Sequence, residues 1–158
     1  MKIAVFAGSF DPFTFAHQDL VDRGLGLFDK IIIAIGVNSS KKGLLPLADR
    51  EKGIKLLFEK YTNVEVQQFS GLTVDFCKRA GASYILRGLR NTDDFEFEKA
   101  IAQNNSLLAP TIETYFLMTK SGLAHISSTI VRDILSNGGD VSALVPEIIL
   151  RVDRDSST

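Results

Sequence analysis

The run Lys30-Ile31-Ile32-Ile33-Ala34-Ile35-Gly36 is the most apolar in the chain, and it limits the possible folds more than any other stretch. It is short for a helix and dominated by β-branched residues, so it predicts a strand buried on both faces. A strand covered on both sides belongs to a parallel sheet with helices against it. What precedes it agrees. Ile3-Ala4-Val5-Phe6-Ala7 reads as a second buried strand, punctuated by Gly8, Asp11 and Pro12, and Leu20, Val21, Gly24, Leu25 and Phe28 then recur at roughly helical spacing. Strand, helix, strand is a βαβ unit, whose right-handed crossover makes the strands parallel and brings the loops after both to one sheet edge.

The pattern repeats. Pro46 to Glu51 opens a helix with Ile54, Leu57 and Phe58 on its apolar face, ending near Tyr61, and Val64 to Phe69 alternates as a half-exposed strand does. A helix runs from Thr73 to Ala80 with Gly81 as its stop, and Ser83 to Leu86 forms a fourth strand leading directly into Arg87-Gly88-Leu89-Arg90. Thr92-Asp93-Asp94 caps a long helix reaching toward Leu108, on which Glu96 and Glu98 read as solvent-facing acids; Pro110 ends it. Ile112 to Met118 is a fifth strand, followed by the loop Thr119 to His125 and an amphipathic helix that starts at Ser127-Ser128-Thr129 and closes at Asn137-Gly138-Gly139. A short last helix begins at Val145-Pro146-Glu147, and 151–158 reads as a polar, frayed tail. No linker, repeat or composition break divides the chain. The expectation is one α/β domain over 1–158, a Rossmann-like doubly wound, five-stranded parallel sheet with helices on both faces.

With 45% hydrophobic and 23% charged residues the chain is of ordinary globular composition, and its net charge of -1 supplies no basic field for nucleic acid. Any anion binding must be a local constellation. The apolar amino terminus is broken at Gly8 and Asp11, with no long signal-like region, and the single Cys77 excludes an intramolecular disulfide framework. A soluble, cytoplasmic protein with no membrane partner is expected, with Cys77 as a core residue.

The expected loops after the strands present Ser9 with His17, then Lys41, then Arg87 with Arg90, then Ser127 to Thr129. All are donors or cations. The first loop lacks the spacing of both the P-loop and the dinucleotide fingerprint. Taken alone it is equally consistent with a plain Asp11-Pro12 turn and an exposed His17. Lys41 and Lys42 in a polar loop are more often solvated, whereas two guanidiniums flanking a glycine at a strand end suit phosphate. One hydroxyl of the serine-threonine cluster suffices to cap its helix, which leaves the others and the free N–H groups for a second anion. His17 and His125 alone make no zinc site, and neither a Ser-His-Asp set nor a carboxylate pair is apparent. Such a donor set suits phosphoryl or nucleotidyl transfer, which depends on positioning and charge stabilisation. An attacking phosphate, with a second pKa of about 6, needs no general base near neutral pH.

GSFDPFTFAH, beginning at Gly8, resembles the signature of the HxGH-type nucleotidyltransferases, and ISSTIVR, beginning at Ile126, resembles their second motif. Together with SSKK, ILRGLR and DFEFEKA, in that order over residues 1–150, the chain is similar to the bacterial phosphopantetheine adenylyltransferase family. The resemblance implies reversible adenylyl transfer from ATP to 4′-phosphopantetheine, giving dephospho-CoA and pyrophosphate, with Mg²⁺ bound with the ATP. It implies that His17 stabilises the transition state and that Ser9 and Phe10 meet nucleotide or substrate. It assigns Lys41, Thr73 and Arg87 to phosphopantetheine. To ATP it assigns Gly88, Leu89, Arg90, Glu98 and the segment Leu123, Ala124, His125, Ile126, Ser127, Ser128 and Thr129, which sets aside the solvent-facing reading of Glu98. It further implies a homohexamer and coenzyme A as a possible feedback ligand. Two residues depart from the family pattern. Ala16 stands where glycine is usual, and its methyl is expected to crowd the triphosphate or the helix start; Leu123-Ala124-His125 replaces a usually aromatic segment. The alternatives are a nicotinamide-mononucleotide adenylyltransferase, a cytidylyltransferase, or a nucleotide-binding protein with reduced turnover.

Overall fold

A computed structural model describes residues 1–40 and 42–155. Its strands are β1 (Ile3–Gly8), β2 (Lys30–Gly36), β3 (Val64–Phe69), β4 (Tyr84–Leu89) and β5 (Glu113–Met118). They form one sheet in the order β3-β2-β1-β4-β5, and every neighbouring pair is parallel. The helices are α1 (Phe15–Gly24), α2 (Leu47–Leu57), α3 (Thr73–Ala80), α4 (Thr92–Leu108), α5 (Ser128–Ser136) and α6 (Glu147–Asp155). The architecture is the expected α/β, Rossmann-like doubly wound sheet.

Alternation along the strands sorts the core into two layers. Phe6, Ile31, Ile33 and Ile35 face the layer built by Leu20 and Val21 of α1, Ile54 of α2, Val131 of α5 and Ile149 of α6. Val5, Ala7, Ile32 and Ala34 face Val74, Phe76 and Cys77 of α3. Every apolar residue of the β2 run from Ile31 to Ile35 is therefore buried, as helices on both faces require. Cys77 is free and wholly buried, and that burial raises its thiol pKa to about 11, so it is a packing residue.

Strand order reverses between β1 and β4, and the two strands pair only at Ala4 with Tyr84 and Val5 with Ile85. By contrast, β1 stays in register with β2 from Ile3 opposite Lys30 to Gly8 opposite Ile35. Beyond Val5 and Ile85 the two strands share no ladder pair, and this divergence lies at the topological switch point, where such sheets bind ligands. Helix α1 crosses near this seam because two glycines admit it. A Cβ on Gly24 would press on Ile31 and Leu86, and one on Gly88 would run into Leu20.

Several boundaries differ from expectation. β4 continues through Arg87 and Gly88 to Leu89, because β5 offers partners as far as Met118. Helix α4 is capped by Asn91, whose side chain accepts from the Asp94 N–H, with Thr92 already inside the helix. Helix α2 ends at Leu57 rather than near Tyr61. Helix α6 extends to Asp155, with Val152 buried, where a polar tail from 151 was expected.

Candidate active site

A cavity of about 370 Å³ opens at the switch point. Gly8, Ser9 and Phe10 bring the end of β1 to it, and Ala16, His17 and Leu20 bring α1. Arg87 and Gly88 enter from β4, Arg90 from just beyond its end, and Ile126, Ser127 and Ser128 from the start of α5. Three chain segments that are distant in sequence therefore share one space.

His17 is held as part of a helix cap. The Thr14 side chain accepts from the His17 N–H at 3.3 Å, and the Thr14 N–H donates to His17 Nδ1 at 3.0 Å. This reciprocal capping box satisfies two orphan donors of α1. It also fixes the tautomer, since an Nδ1 that accepts a hydrogen bond leaves the ring proton on Nε2. The imidazole packs among Phe6, Phe10 and Phe13, with centroids 6.0, 5.1 and 5.2 Å away. Desolvation by these rings, reinforced by the charges of Arg87 and Arg90, lowers the His17 pKa from 6.5 to about 4. Near neutral pH His17 is an uncharged N–H donor at the cavity wall. Phe10, buried and at φ 48°, occupies the left-handed region in the middle of the loop, held by edge-on contact with Phe6 and His17.

Arg87 is oriented on both sides. Its Nε and Nη2 donate to the two carboxylate oxygens of Glu98 at 2.9 and 2.6 Å, and its Nη1 donates to the Ala7 carbonyl at 2.7 Å. Glu98 is only 8% exposed and is the one buried residue of α4 among those described. The solvent-facing reading of Glu98 is thus wrong, and its partner is an arginine; Glu96 is exposed as expected. Arg87, Glu98 and Ala7 also line a second cavity, of about 200 Å³, with Thr73, Ala102 and Asn105. The Arg87–Glu98 pair therefore stands between two spaces.

The hydroxyls at α5 are more committed than the sequence suggests. Ser127 caps the helix, its side chain accepting from the Ile130 N–H, and Ser128 Oγ donates to the Pro12 carbonyl at 2.8 Å. Thr129 Oγ1 accepts from Arg132. What remains for an anion is the hydroxyl protons of Ser127 and Thr129, whose oxygens only accept here, and the first N–H groups of the helix. Asp11, read as a turn former, is 5% exposed and accepts from the Leu44 and Leu45 N–H groups at 2.7 and 2.8 Å.

Residues 5–134 match the cytidylyltransferase-like family model. The chain is 54% identical over 149 residues to the phosphopantetheine adenylyltransferase of Flavobacterium psychrophilum, an alignment covering 94% of this chain and 98% of the relative. It is 51% identical over 145 residues to that of Cytophaga hutchinsonii, covering 92% and 97%, and 44% identical over 155 residues to that of Desulforamulus reducens, covering 98% and 96%. The chain belongs to the phosphopantetheine adenylyltransferase family.

Of the residues expected to form a phosphopantetheine adenylyltransferase site, the larger cavity gathers Ser9, Phe10, His17, Arg87, Gly88, Arg90, Glu98, Ile126, Ser127 and Ser128. Thr73 lies at the smaller one, sharing Arg87. Leu89 is buried, and Leu123, Ala124, His125 and Thr129 are not among the lining residues of either cavity. Lys41 lies outside the described residues. The sequence reading missed Asp94 and Thr119, which line the larger cavity; Asp94 accepts from the Arg90 N–H and Nε at 3.0 and 3.1 Å. Its spacing of four from Arg90 was the available signal. Among the described residues no cluster of three or more His, Cys, Asp or Glu is placed to hold a metal, and no helix is long and apolar enough to cross a membrane.

Proposed function

We propose that this chain transfers the adenylyl group of ATP reversibly to 4′-phosphopantetheine, yielding dephospho-CoA and pyrophosphate in coenzyme A biosynthesis. The observation that carries the reading is the placing of Arg87 between two cavities, one with His17, Arg90 and the α5 N-terminus, the other with Thr73. ATP occupies the larger cavity with its phosphates against Ser9, Gly88, Arg90 and the start of α5. Phosphopantetheine enters past Thr73 with its phosphate at Arg87, and Lys41 adds a second cation. An oxygen of that phosphate attacks the α-phosphorus; the bond to the bridging oxygen of pyrophosphate breaks, and its electron pair leaves with pyrophosphate. The nucleophile is already largely dianionic, its second pKa being about 6, so the chain supplies no base. His17 Nε2–H donates to an α-phosphate oxygen as its charge grows, in the manner of an oxyanion hole.

Mg²⁺ accompanies the ATP. Both carboxylates at the larger cavity, Asp94 and Glu98, are engaged by arginines, so the donor set fits an ion that arrives held by phosphate oxygens and water. Its chemistry there is neutralisation of triphosphate charge. The proposed assembly is a homohexamer, and the surface of α4 supports association: Phe97 is 69% and Leu107 81% exposed, beside the half-exposed Phe95 and Ile101. A free, buried Cys77 is in keeping with the proposed cytoplasmic location. Coenzyme A, which contains the product, is the proposed feedback ligand at the same cavities.

The test is pyrophosphate release from ATP, Mg²⁺ and 4′-phosphopantetheine, with nicotinamide mononucleotide as an alternative acceptor and CTP as an alternative donor. Release with phosphopantetheine and ATP alone supports the reading. Preference for either alternative, or tight ATP binding without release, overturns it.

A further inference from the structure

Three guanidiniums donate to alternate carbonyls along the end of β1 and the loop that leaves it. Arg87 Nη1 reaches the Ala7 oxygen at 2.7 Å, Arg50 Nη1 the Ser9 oxygen at 2.8 Å, and Arg132 Nη1 the Asp11 oxygen at 2.8 Å. The donors come from β4, α2 and α5, three elements that are separate in sequence. Each has a further anchor: Glu98 for Arg87, the Leu45 carbonyl for Arg50, and Thr129 Oγ1 for Arg132. Arg87 lines the larger cavity, whereas Arg50 and Arg132 do not.

We propose that Arg50 and Arg132 are positioning residues for the triphosphate-binding loop Ala7–Asp11, resting on the reading of the larger cavity as the ATP site. Carbonyl oxygens are the backbone groups a polyanion cannot approach, and this loop faces the cavity with Gly8, Ser9 and Phe10. Charge-assisted donation to the Ser9 and Asp11 oxygens occupies those negative dipoles from behind and fixes their direction. It also supplies what a left-handed Phe10 needs, since that conformation persists only where its surroundings over-determine it. Arg132 with Ser128 ties the loop to the start of α5, as Ser128 Oγ donates to the next carbonyl, that of Pro12. The two walls that would flank the phosphates are thereby held at a set separation. Arg50 performs the same task from α2.

Lysine at either position retains one charge-assisted donor, whereas methionine retains only the apolar stem. The experiment measures, for Arg50→Met, Arg132→Met, Arg50→Lys and Arg132→Lys, the equilibrium affinity for Mg-ATP and for 4′-phosphopantetheine, steady-state kinetics, and melting temperature. The expected result is that each methionine variant binds ATP at least tenfold more weakly, with phosphopantetheine affinity within threefold of wild type. Lysine should recover most of the loss. Because both arginines act on one loop, the double methionine variant should lose less than the product of the single losses. ATP affinity within twofold of wild type in both methionine variants overturns the proposal, as does an equal loss for both substrates that follows melting temperature, which marks a purely structural role. If wild-type protein proves inactive yet the methionine variants still lose ATP, the adenylyltransferase reading falls and the positioning role stands.

Discussion

Thr14 and His17 each hold the other's backbone or ring, the Thr14 N–H donating to Nδ1 at 3.0 Å while the His17 N–H donates to Thr14 Oγ1 at 3.3 Å. One imidazole thus serves as a helix cap through Nδ1, which leaves its ring proton on Nε2, while the residue lines the cavity. His17→Ala should lower kcat by about 10²–10³-fold, the usual effect of losing one oxyanion-type donor, while ATP affinity changes little. It should also cost roughly 1 kcal/mol of stability from the opened capping box. Lost affinity with kcat intact would refute the transition-state role.

The depressed pKa of His17 sets the pH behaviour. Folding lowers it from 6.5 to about 4, so between those values the unfolded chain binds a proton that the folded one refuses. The stabilisation is fully present above pH 6.5 and is lost as pH falls toward 4. Wild type should therefore melt at progressively lower temperature through that window, and His17→Gln should flatten the slope. Above pH 6, kcat should show no inflection from His17. An NMR titration of the imidazole with a midpoint near 6.5 would overturn both statements.

Arg87→Ala should raise KM for phosphopantetheine more than KM for ATP, because the proposed acceptor phosphate meets that guanidinium. It also leaves Glu98 buried without its cation, at a cost of about 3–5 kcal/mol when a buried pair is broken. Arg87→Ala/Glu98→Ala should recover part of that stability but none of the acceptor affinity. Recovery of both would show that Arg87 only relieves Glu98.

Ala16 lines the larger cavity and is 8% exposed, so its methyl is part of the wall. Ala16→Gly should improve kcat/KM for ATP modestly while costing up to about 1 kcal/mol in melting experiments. A loss of stability with no kinetic gain would mean that the neighbouring residues have already adjusted to alanine.

Gly88→Ala tests how α1 is seated. The added Cβ would strike Leu20 Cδ1, and overpacking of this kind costs about 1–3 kcal/mol and displaces the helix that carries His17. Gly88→Ala/Leu20→Ala should restore turnover relative to Gly88→Ala alone. If Gly88→Ala is as active and stable as wild type, the close approach is unimportant.

The sheet was legible because its signal is local. Ile31 to Ile35 or Val5 to Ala7 must be strands whatever surrounds them, and Gly81 stops α3 at φ 71°, as its sequence context implied. Pairing across the fold was not legible. Glu98 sits among exposed neighbours on α4, and its buried carboxylate is paired with Arg87, eleven positions earlier on β4. The charge of Arg87 reads as the end of a strand at Leu86, and it is the pairing with β5 as far as Met118 that carries β4 on to Leu89. Ser128 was counted as spare because its acceptor, the Pro12 carbonyl, is 116 residues away. In α6 the signal is present in the sequence: Ile149 and Val152 stand three apart, a helical spacing that continues past Arg151.

The short pairing of β1 with β4 makes the middle of the sheet its weakest seam. Between the strands themselves, two residue pairs and the Arg87 bond to Ala7 join one slab, β3-β2-β1, to the other, β4-β5, while α1 packs across the seam through Leu20. His17 and Ser9 ride with the first slab, Arg87 and Arg90 with the second, so any flexing of the seam changes the gap between the groups that would grip a nucleotide. A ligand held by both slabs acts as a brace across that gap, and tight binding and a stiffened sheet centre become a single event.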